Sequence, residues 1–117
     1  HLPVIKAIRV GTAIDAARAH RYAEAADLIL FDAKPLKGAM APGGNGHAFD
    51  WHALDEVKGT MPFMLSGGLT PENVAGAIAT TGATAVDVSS GVESAPGVKD
   101  PGLIKRFLKA AKASKQA

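Results

Sequence analysis

The sequence contains no cysteine, so neither a disulfide nor thiolate chemistry can come from within this chain. It has no apolar run long enough to cross a membrane and no charged-then-apolar leader, so we expect a cytoplasmic protein without a membrane partner. The excess of one charge sign over the other is also small, since the net charge is only +2. The basic pI of about 9.1 comes mostly from lysines near the C-terminus, which is weak support for a nucleic-acid partner, and we expect none.

What the sequence does contain is a repeated pattern of short apolar segments and helical segments. The 117 residues fit one domain or part of a larger one, and a hydrophobic content of 47% is typical of a globular protein. Short apolar segments predict four strands, at residues 3–10, 28–31, 62–65 and 85–88. Helical periodicity, caps and stop signals predict helices at 13–26, at 51–58 with Asp50 as its cap, from Thr70 to Gly82, and from Asp100-Pro101 onwards.

The order of these elements predicts an α/β fold built from parallel (β/α) units, because a strand that alternates with a helix returns by a right-handed crossover. Sites in such folds lie at the carboxyl ends of the strands. A complete (β/α)₈ TIM barrel needs about 250 residues. Four units therefore fit half of a barrel.

Three carboxylates follow predicted strands. Asp32 comes after the apolar segment 28–31, where apolar neighbours favour the protonated form that a general acid needs. A turn cap is the equally simple alternative for Asp32. Asp87 lies inside a predicted strand between Val86 and Val88, and a buried carboxylate there is expected to have a partner, in a structural ion pair or on a substrate. Glu93 is a further candidate polar contact, although loop glutamates are commonly just solvated.

Glycine-rich and serine-rich loops follow the same strands and predict a phosphate site, because glycine lets backbone N–H groups approach an anion closely. A single Gly-Gly pair is more simply a tight turn, but two such loops in the last two units favour phosphate binding. The four histidines lack metal-ligand spacing, so no metal is expected. The predicted phosphate-binding residues are Gly44, Gly46, Gly67, Gly68, Ser90 and Gly91.

Five segments together resemble phosphoribosylanthranilate isomerase, in that family's order and spacing. They are residues 3–10, Leu30-Phe31-Asp32-Ala33-Lys34, Gly43-Gly44-Asn45-Gly46 with Phe49-Asp50-Trp51, residues 66–74 beginning Ser66-Gly67-Gly68, and residues 86–93 with Pro96-Gly97-Val98-Lys99-Asp100.

The resemblance is to the C-terminal half of the family, units five to eight of its TIM barrel. It implies an isomerase of tryptophan biosynthesis that converts N-(5′-phosphoribosyl)anthranilate to 1-(2-carboxyphenylamino)-1-deoxyribulose 5-phosphate by an Amadori rearrangement, with no cofactor. It implies that Asp32 is the general acid and that Asp87 and Glu93 contact the substrate. The family's cysteine base belongs to the N-terminal half, so this chain alone is expected to be inactive.

Two alternatives remain open. The chain could be a non-catalytic half-barrel that binds a sugar phosphate or self-associates. It could also be another phosphate-binding barrel enzyme, although the lysine, glutamate or metal-ligand clusters of those families are not evident. In either half-barrel interpretation the first and last strands have open edges, which predicts pairing with the N-terminal half or with a second copy.

Overall fold

The computed structural model describes residues 2–33 and 50–114. Predictions that involve the loop 34–48, including Gly44 and Gly46, lie outside the described residues. The strands are β1 (Ile5–Arg9), β2 (Leu28–Asp32), β3 (Phe63–Ser66), β4 (Ala85–Val86), β5 (Glu93–Ala95) and β6 (Val98–Lys99). The helices are α1 (Ala13–Ala17), α2 (Val74–Thr81) and α3 (Pro101–Ala113), with 3₁₀ turns at Arg18–Arg21, Trp51–Leu54 and Ser90–Val92.

A parallel sheet with strand order β1-β2-β3-β4 is the centre of the fold, which confirms the predicted α/β class. The strands stay in register, so that Ile8 lies beside Phe31 and Phe31 beside Leu65. These three side chains are buried on the face of the sheet that packs on the core. Phe31 also contacts Phe63 edge to face, with ring centroids 5.1 Å apart, which adds a directional contact to the burial of both rings.

The opposite face of the sheet is less covered. Ala7 is exposed there, and Leu30, Met64 and Ala85 are only half-buried. This face carries apolar side chains without the dense packing that the other face receives. It is the face that would line the inside of a closed barrel.

Two helices are shorter than the sequence predicts. The segment 13–26 forms a regular helix only over Ala13–Ala17 and then tightens into a 3₁₀ turn and loop. The chain must return to the sheet there, because the Asp27 carboxylate accepts a hydrogen bond from the Val4 N–H at 2.6 Å and the Asp27 N–H donates to the Val4 carbonyl. The segment 51–58 likewise has 3₁₀ geometry only at Trp51–Leu54, although Asp50 caps it as predicted.

The sequence correctly predicts a helix cap at Thr70, although the regular helix α2 begins four residues later, at Val74. The Thr70 hydroxyl accepts a hydrogen bond from the Asn73 N–H, and the Asn73 side-chain oxygen accepts one from the Thr70 N–H. This reciprocal box caps the first turn at Thr70, and regular helix follows from Val74. Gly82 ends α2 as predicted, with a φ of 74° that suits glycine.

Helix α3 begins where the sequence predicts, because the Asp100 carboxylate accepts hydrogen bonds from the N–H groups of Gly102 and Leu103. Its apolar stripe is divided between two environments. Phe107 is buried in the core, whereas Ile104 is 36% and Leu108 49% exposed. Both exposed side chains line a groove of about 550 Å³ that runs beside β4 at the open edge of the sheet.

Strand β4 is shorter than predicted, and a hairpin that the sequence analysis missed follows it. The last sheet-like bond after β4 joins the Asp87 N–H to the Leu65 carbonyl at 2.9 Å, and the chain then turns away at Ser89. Strands β5 and β6 pair antiparallel through a turn at Gly97, whose φ is 79°. No helix in residues 2–33 and 50–114 has both the length and the apolar character needed to cross a bilayer.

Candidate active site

A cavity of about 150 Å³ lies at the carboxyl ends of β2, β3 and β4. The parallel sheet dictates this position, because the loops that leave neighbouring parallel strands emerge at one edge. The cavity brings together all but three of the predicted site residues: Gly44 and Gly46 fall outside the described part of the chain, and Glu93 lies elsewhere. The lining residues are Asp32, Ser66, Gly67, Gly68, Leu69, Asp87, Val88, Ser89, Ser90 and Gly91.

Asp32 enters the cavity as the last residue of β2. Its neighbours in the sheet are Arg9 at the end of β1 and Ser66 at the end of β3. Its own carbonyl accepts a hydrogen bond from the Val10 N–H at 2.9 Å, so the backbone of Asp32 is held by the sheet while its half-buried side chain lines the cavity. A carboxyl group on a rigid strand end is well placed to meet a bound ligand.

Asp87 lies one residue beyond β4 rather than inside a strand, and it is exposed rather than buried. The Ser66 hydroxyl donates a hydrogen bond to the Asp87 carboxylate at 3.3 Å. The described partner of Asp87 is therefore a hydroxyl group rather than the charged side chain of a structural ion pair. Because a carboxylate has several acceptor positions, this contact leaves capacity for a donor on a ligand.

The loop after β3 has a conformation that requires glycine. Gly67 and Gly68 have φ values of 95° and 73°, which side-chain-bearing residues rarely adopt. The Asn73 amide donates to the Gly68 carbonyl at 2.9 Å, so the box at the start of α2 also fixes this loop. The sequence analysis found the glycines but missed the role of Asn73, for which its position three residues after Thr70 was the available signal.

The loop after β4 packs directly against the loop after β3. A Cβ atom on Gly91 would lie 1.8 Å from the Leu69 carbonyl oxygen and 3.2 Å from the Thr70 Cα. Gly91 therefore has a packing reason to be glycine that is independent of any ligand. The two glycine-bearing loops form one unit around the cavity.

Glu93 does not line the cavity. It begins the β5–β6 hairpin, where its carboxylate accepts hydrogen bonds from the Lys99 ammonium at 2.5 Å and from the Gly97 N–H at 3.1 Å. The Lys99 hydrogen bond, followed by that of Gly97, lowers the pKa of Glu93 below its usual value.

Two basic residues near these groups were missed by the sequence analysis. Lys99 contacts Ser89 on the cavity rim as well as Glu93. Arg9 is the register partner of Asp32. Neither has a local sequence signal of its own, since only the folded sheet and hairpin bring them to their partners. The described residues contain no group of three or more histidine, aspartate or glutamate side chains that could hold a metal ion.

A family model described as N-(5′phosphoribosyl)anthranilate (PRA) isomerase matches residues 1–110. An N-(5′-phosphoribosyl)anthranilate isomerase of Rhodopseudomonas palustris (strain BisB5) is 58% identical over 115 residues, which cover 98% of this chain and 53% of that protein. A protein of the same name from Paramagnetospirillum magneticum is 57% identical over 111 residues, covering 95% of this chain and 52% of its own length.

Solved structures give the same similarity. The phosphoribosyl anthranilate isomerase of Thermotoga maritima matches with a TM-score of 0.81 and 42% identity, over 97% of this chain and 53% of that one. A second structure, of phosphoribosyl anthranilate isomerase in complex with reduced 1-(o-carboxyphenylamino)-1-deoxyribulose 5-phosphate, has a TM-score of 0.75 and 41% identity, over 96% of this chain and 50% of that one. The chain thus spans about half the length of the relatives it matches.

Proposed function

Because this chain belongs to the N-(5′-phosphoribosyl)anthranilate isomerase family, we propose that it forms units five to eight of a (β/α)₈ barrel and carries most of that enzyme's site. The reaction would be the Amadori rearrangement of N-(5′-phosphoribosyl)anthranilate to the ketose in tryptophan biosynthesis. The observation that carries the proposal is the single cavity that joins Asp32 to the loops of Gly67-Gly68 and Ser90-Gly91. A cytoplasmic location stays a prediction.

In this proposal Asp32 is the general acid. Its proton goes to the ribose ring oxygen, the C1′–O bond breaks, and the nitrogen lone pair forms the iminium. A base then removes the proton at C2′, which gives an enolamine, and tautomerisation gives the ketose. The substrate nitrogen donates its lone pair as the ring opens and takes an electron pair back when C2′ loses its proton, so the mechanism needs no cofactor.

The second role, binding of the substrate phosphate, belongs to the glycine-bearing loops. Backbone N–H groups of Gly67, Gly68, Ser90 and Gly91, together with Gly44 and Gly46 from outside the described residues, would hold the phosphate. Asp87 would accept a hydrogen bond from the substrate amine or a ribose hydroxyl. For Glu93 a substrate contact remains the prediction, although its position in the hairpin supports an indirect role better.

The base is expected from the other half of the barrel. The chain has no cysteine to supply it. We therefore propose that this chain is inactive alone and becomes active when the N-terminal half is present, in the same polypeptide or as a separate chain.

The unpaired edges of the sheet support the N-terminal half as a partner. β1 and β4 are the outer strands of the sheet, and unpaired strand edges favour pairing with another chain. Ile5 on β1 is 54% exposed, and the groove beside β4 exposes Ile104 and Leu108. The N-terminal half would cover both places, and a second copy of this chain is the alternative occupant.

The test is an isomerase assay on this chain with and without the N-terminal half. Activity only in the mixture supports the proposal, and Asp32→Asn should then lower kcat by about 10²–10⁴-fold, the usual contribution of a general acid. Asp55→Asn is the matched control, because Asp55 is exposed and pairs with His52 away from the cavity. Full activity of this chain alone would show that the base is elsewhere and that the mechanism is wrong.

A non-catalytic half-barrel is the second candidate, and one observation favours it. The two glycine-bearing loops proposed to bind phosphate both belong to this chain and pack against each other at Gly91, so phosphate binding would not require the other half. Phosphate binding that persists without isomerisation after the N-terminal half is added would establish this candidate. Sedimentation then tests whether the open strand edges pair with another chain. A monomer with both edges unpaired would contradict edge pairing.

A further inference from the structure

Lys99 connects the hairpin to the rim of the cavity. Its ammonium group donates hydrogen bonds to the Ser89 carbonyl oxygen at 3.0 Å, to the Ser89 hydroxyl at 3.2 Å and to the Glu93 carboxylate at 2.5 Å. An ammonium group has three hydrogens, so these contacts use all of its donors. Glu93 is in turn fixed by the Gly97 N–H at 3.1 Å.

Ser89 is the residue at which the chain leaves the sheet. It lines the cavity and precedes the 3₁₀ turn Ser90–Val92, with φ −131° and ψ −85°. This turn is short, its Gly91 packs against the neighbouring loop, and its Val92 N–H donates a hydrogen bond to the Ser89 carbonyl oxygen at 3.3 Å. The direction of the Ser90 and Gly91 N–H groups therefore depends on how firmly Ser89 is held.

We propose that Lys99, oriented by Glu93, is a positioning residue that holds the segment Ser89–Gly91 in the conformation that receives the substrate phosphate. This inference rests on the proposed function, because it concerns the same cavity. It gives the Glu93–Lys99 pair a role at the site although Glu93 does not reach the cavity. Lys99 acts through Ser89 and takes no part in the chemical step.

The first arm of the test measures the backbone without any ligand. Amide hydrogen exchange of Val92 and Asp100, whose N–H groups donate to the Ser89 and Val92 carbonyl oxygens, should become faster in Lys99→Met, because methionine keeps most of the length of the side chain but donates no hydrogen bond. Lys99→Arg should restore most of the protection, since a guanidinium group can contact both Glu93 and Ser89. Lys105→Met is the matched control on the exposed surface of α3 and should leave these amides unchanged.

The second arm measures inorganic phosphate binding to the chain and steady-state kinetics with the N-terminal half present. Lys99→Met should weaken phosphate binding and raise KM by about tenfold, as expected when charged hydrogen bonds that fix a binding loop are lost. The value of kcat should change less than twofold. Glu93→Gln should give a smaller effect in the same direction, and it serves as the milder variant if Lys99→Met folds poorly.

The outcomes separate the two proposals. If the unmodified chain binds no phosphate, the proposed phosphate site fails and the positioning role fails with it. If the unmodified chain binds phosphate but Lys99→Met binds it equally well, only the positioning role is overturned. Unchanged amide exchange at Val92 and Asp100 in Lys99→Met, or an equal loss of kcat and kcat/KM, would also overturn it.

Discussion

Replacing Gly91 with alanine should damage both the fold and the cavity, because the new methyl group would overlap the backbone of the neighbouring loop. The added Cβ would lie 1.8 Å from the Leu69 oxygen and 2.9 Å from the Leu69 carbonyl carbon, whereas ordinary contact begins at 3.4 Å. One of the two loops must therefore move by roughly 1.5 Å, and backbone on both sides resists it. Overpacking of this kind costs about 1–3 kcal/mol.

The displacement falls on the groups that we propose bind phosphate, so the loss of affinity should accompany the loss of stability. Urea denaturation followed by circular dichroism measures the unfolding free energy, and titration with inorganic phosphate measures the binding. We expect Gly91→Ala to lower the first by about 1–3 kcal/mol and to abolish measurable phosphate binding.

Gly76 provides a matched control within the same chain. It lies exposed in α2, and a Cβ there would meet nothing within 4 Å. Gly76→Ala should therefore stabilise the protein by about 0.5–1 kcal/mol, the usual gain from glycine to alanine inside a helix, without changing phosphate binding. If Gly91→Ala proves as stable as the original chain and binds phosphate normally, the close packing of the two loops is wrong.

Three further predictions follow from other parts of the molecule. Phe63→Ala should cost about 3–5 kcal/mol of unfolding free energy in urea denaturation, since it removes a buried ring and its edge contact with Phe31; a cost below 1 kcal/mol would contradict the core assignment. The folded-state pKa of Glu93 is lowered, so the stability that it contributes is present above the ordinary value of 4.5 and is lost as the pH falls through the lower folded value. The difference in unfolding free energy between the original chain and Glu93→Gln should therefore shrink from pH 6 to pH 3, and a difference that grows would refute this sign. Leu108→Lys should weaken association with the N-terminal half in sedimentation, because Leu108 lines the groove beside β4, whereas phosphate binding by this chain should not change; unaltered association would exclude the groove as the contact surface.

The sheet could be predicted from the sequence because its signals are local. Segments such as 28–31 and 62–65 are continuous apolar runs, which are typical of strands in a parallel sheet covered on both faces. The caps at Asp50 and Asp100 and the stop at Gly82 are also contained in a few adjacent residues. These predictions were confirmed because each depends on the chemistry of one turn of chain.

The helix from residue 13 was predicted too long because its end is decided at a distance. The contact between Asp27 and Val4 joins residues 23 positions apart, and no periodicity in 13–26 reveals it. The hairpin formed by β5 and β6 was missed for a related reason. Its strands have three and two residues, too few to give an alternating pattern.

The position of the candidate site could be predicted better than the contacts between its residues. Asp32 and the glycines of 66–68 follow recognisable strands, so their meeting at one end of the sheet could be inferred. Asp87 was expected to be buried within a strand, whereas β4 ends one residue earlier and leaves it exposed. The contacts of Lys99 with Ser89 and of Gly91 with Leu69 depend on how the loops fold back, which the sequence does not encode locally.

Apart from Asp32, the described cavity wall comes from one continuous stretch, residues 66–91, that spans two successive strand–helix units. Anion occupancy and folding are therefore thermodynamically linked, since an anion that binds only the folded stretch stabilises it whether or not a second chain is present. At a concentration one hundred times its Kd, such an anion would add about 2.7 kcal/mol to the folded form. Phosphate in a refolding buffer should thus favour the folded form of this chain and raise the yield of chains that are competent to pair with the proposed N-terminal half.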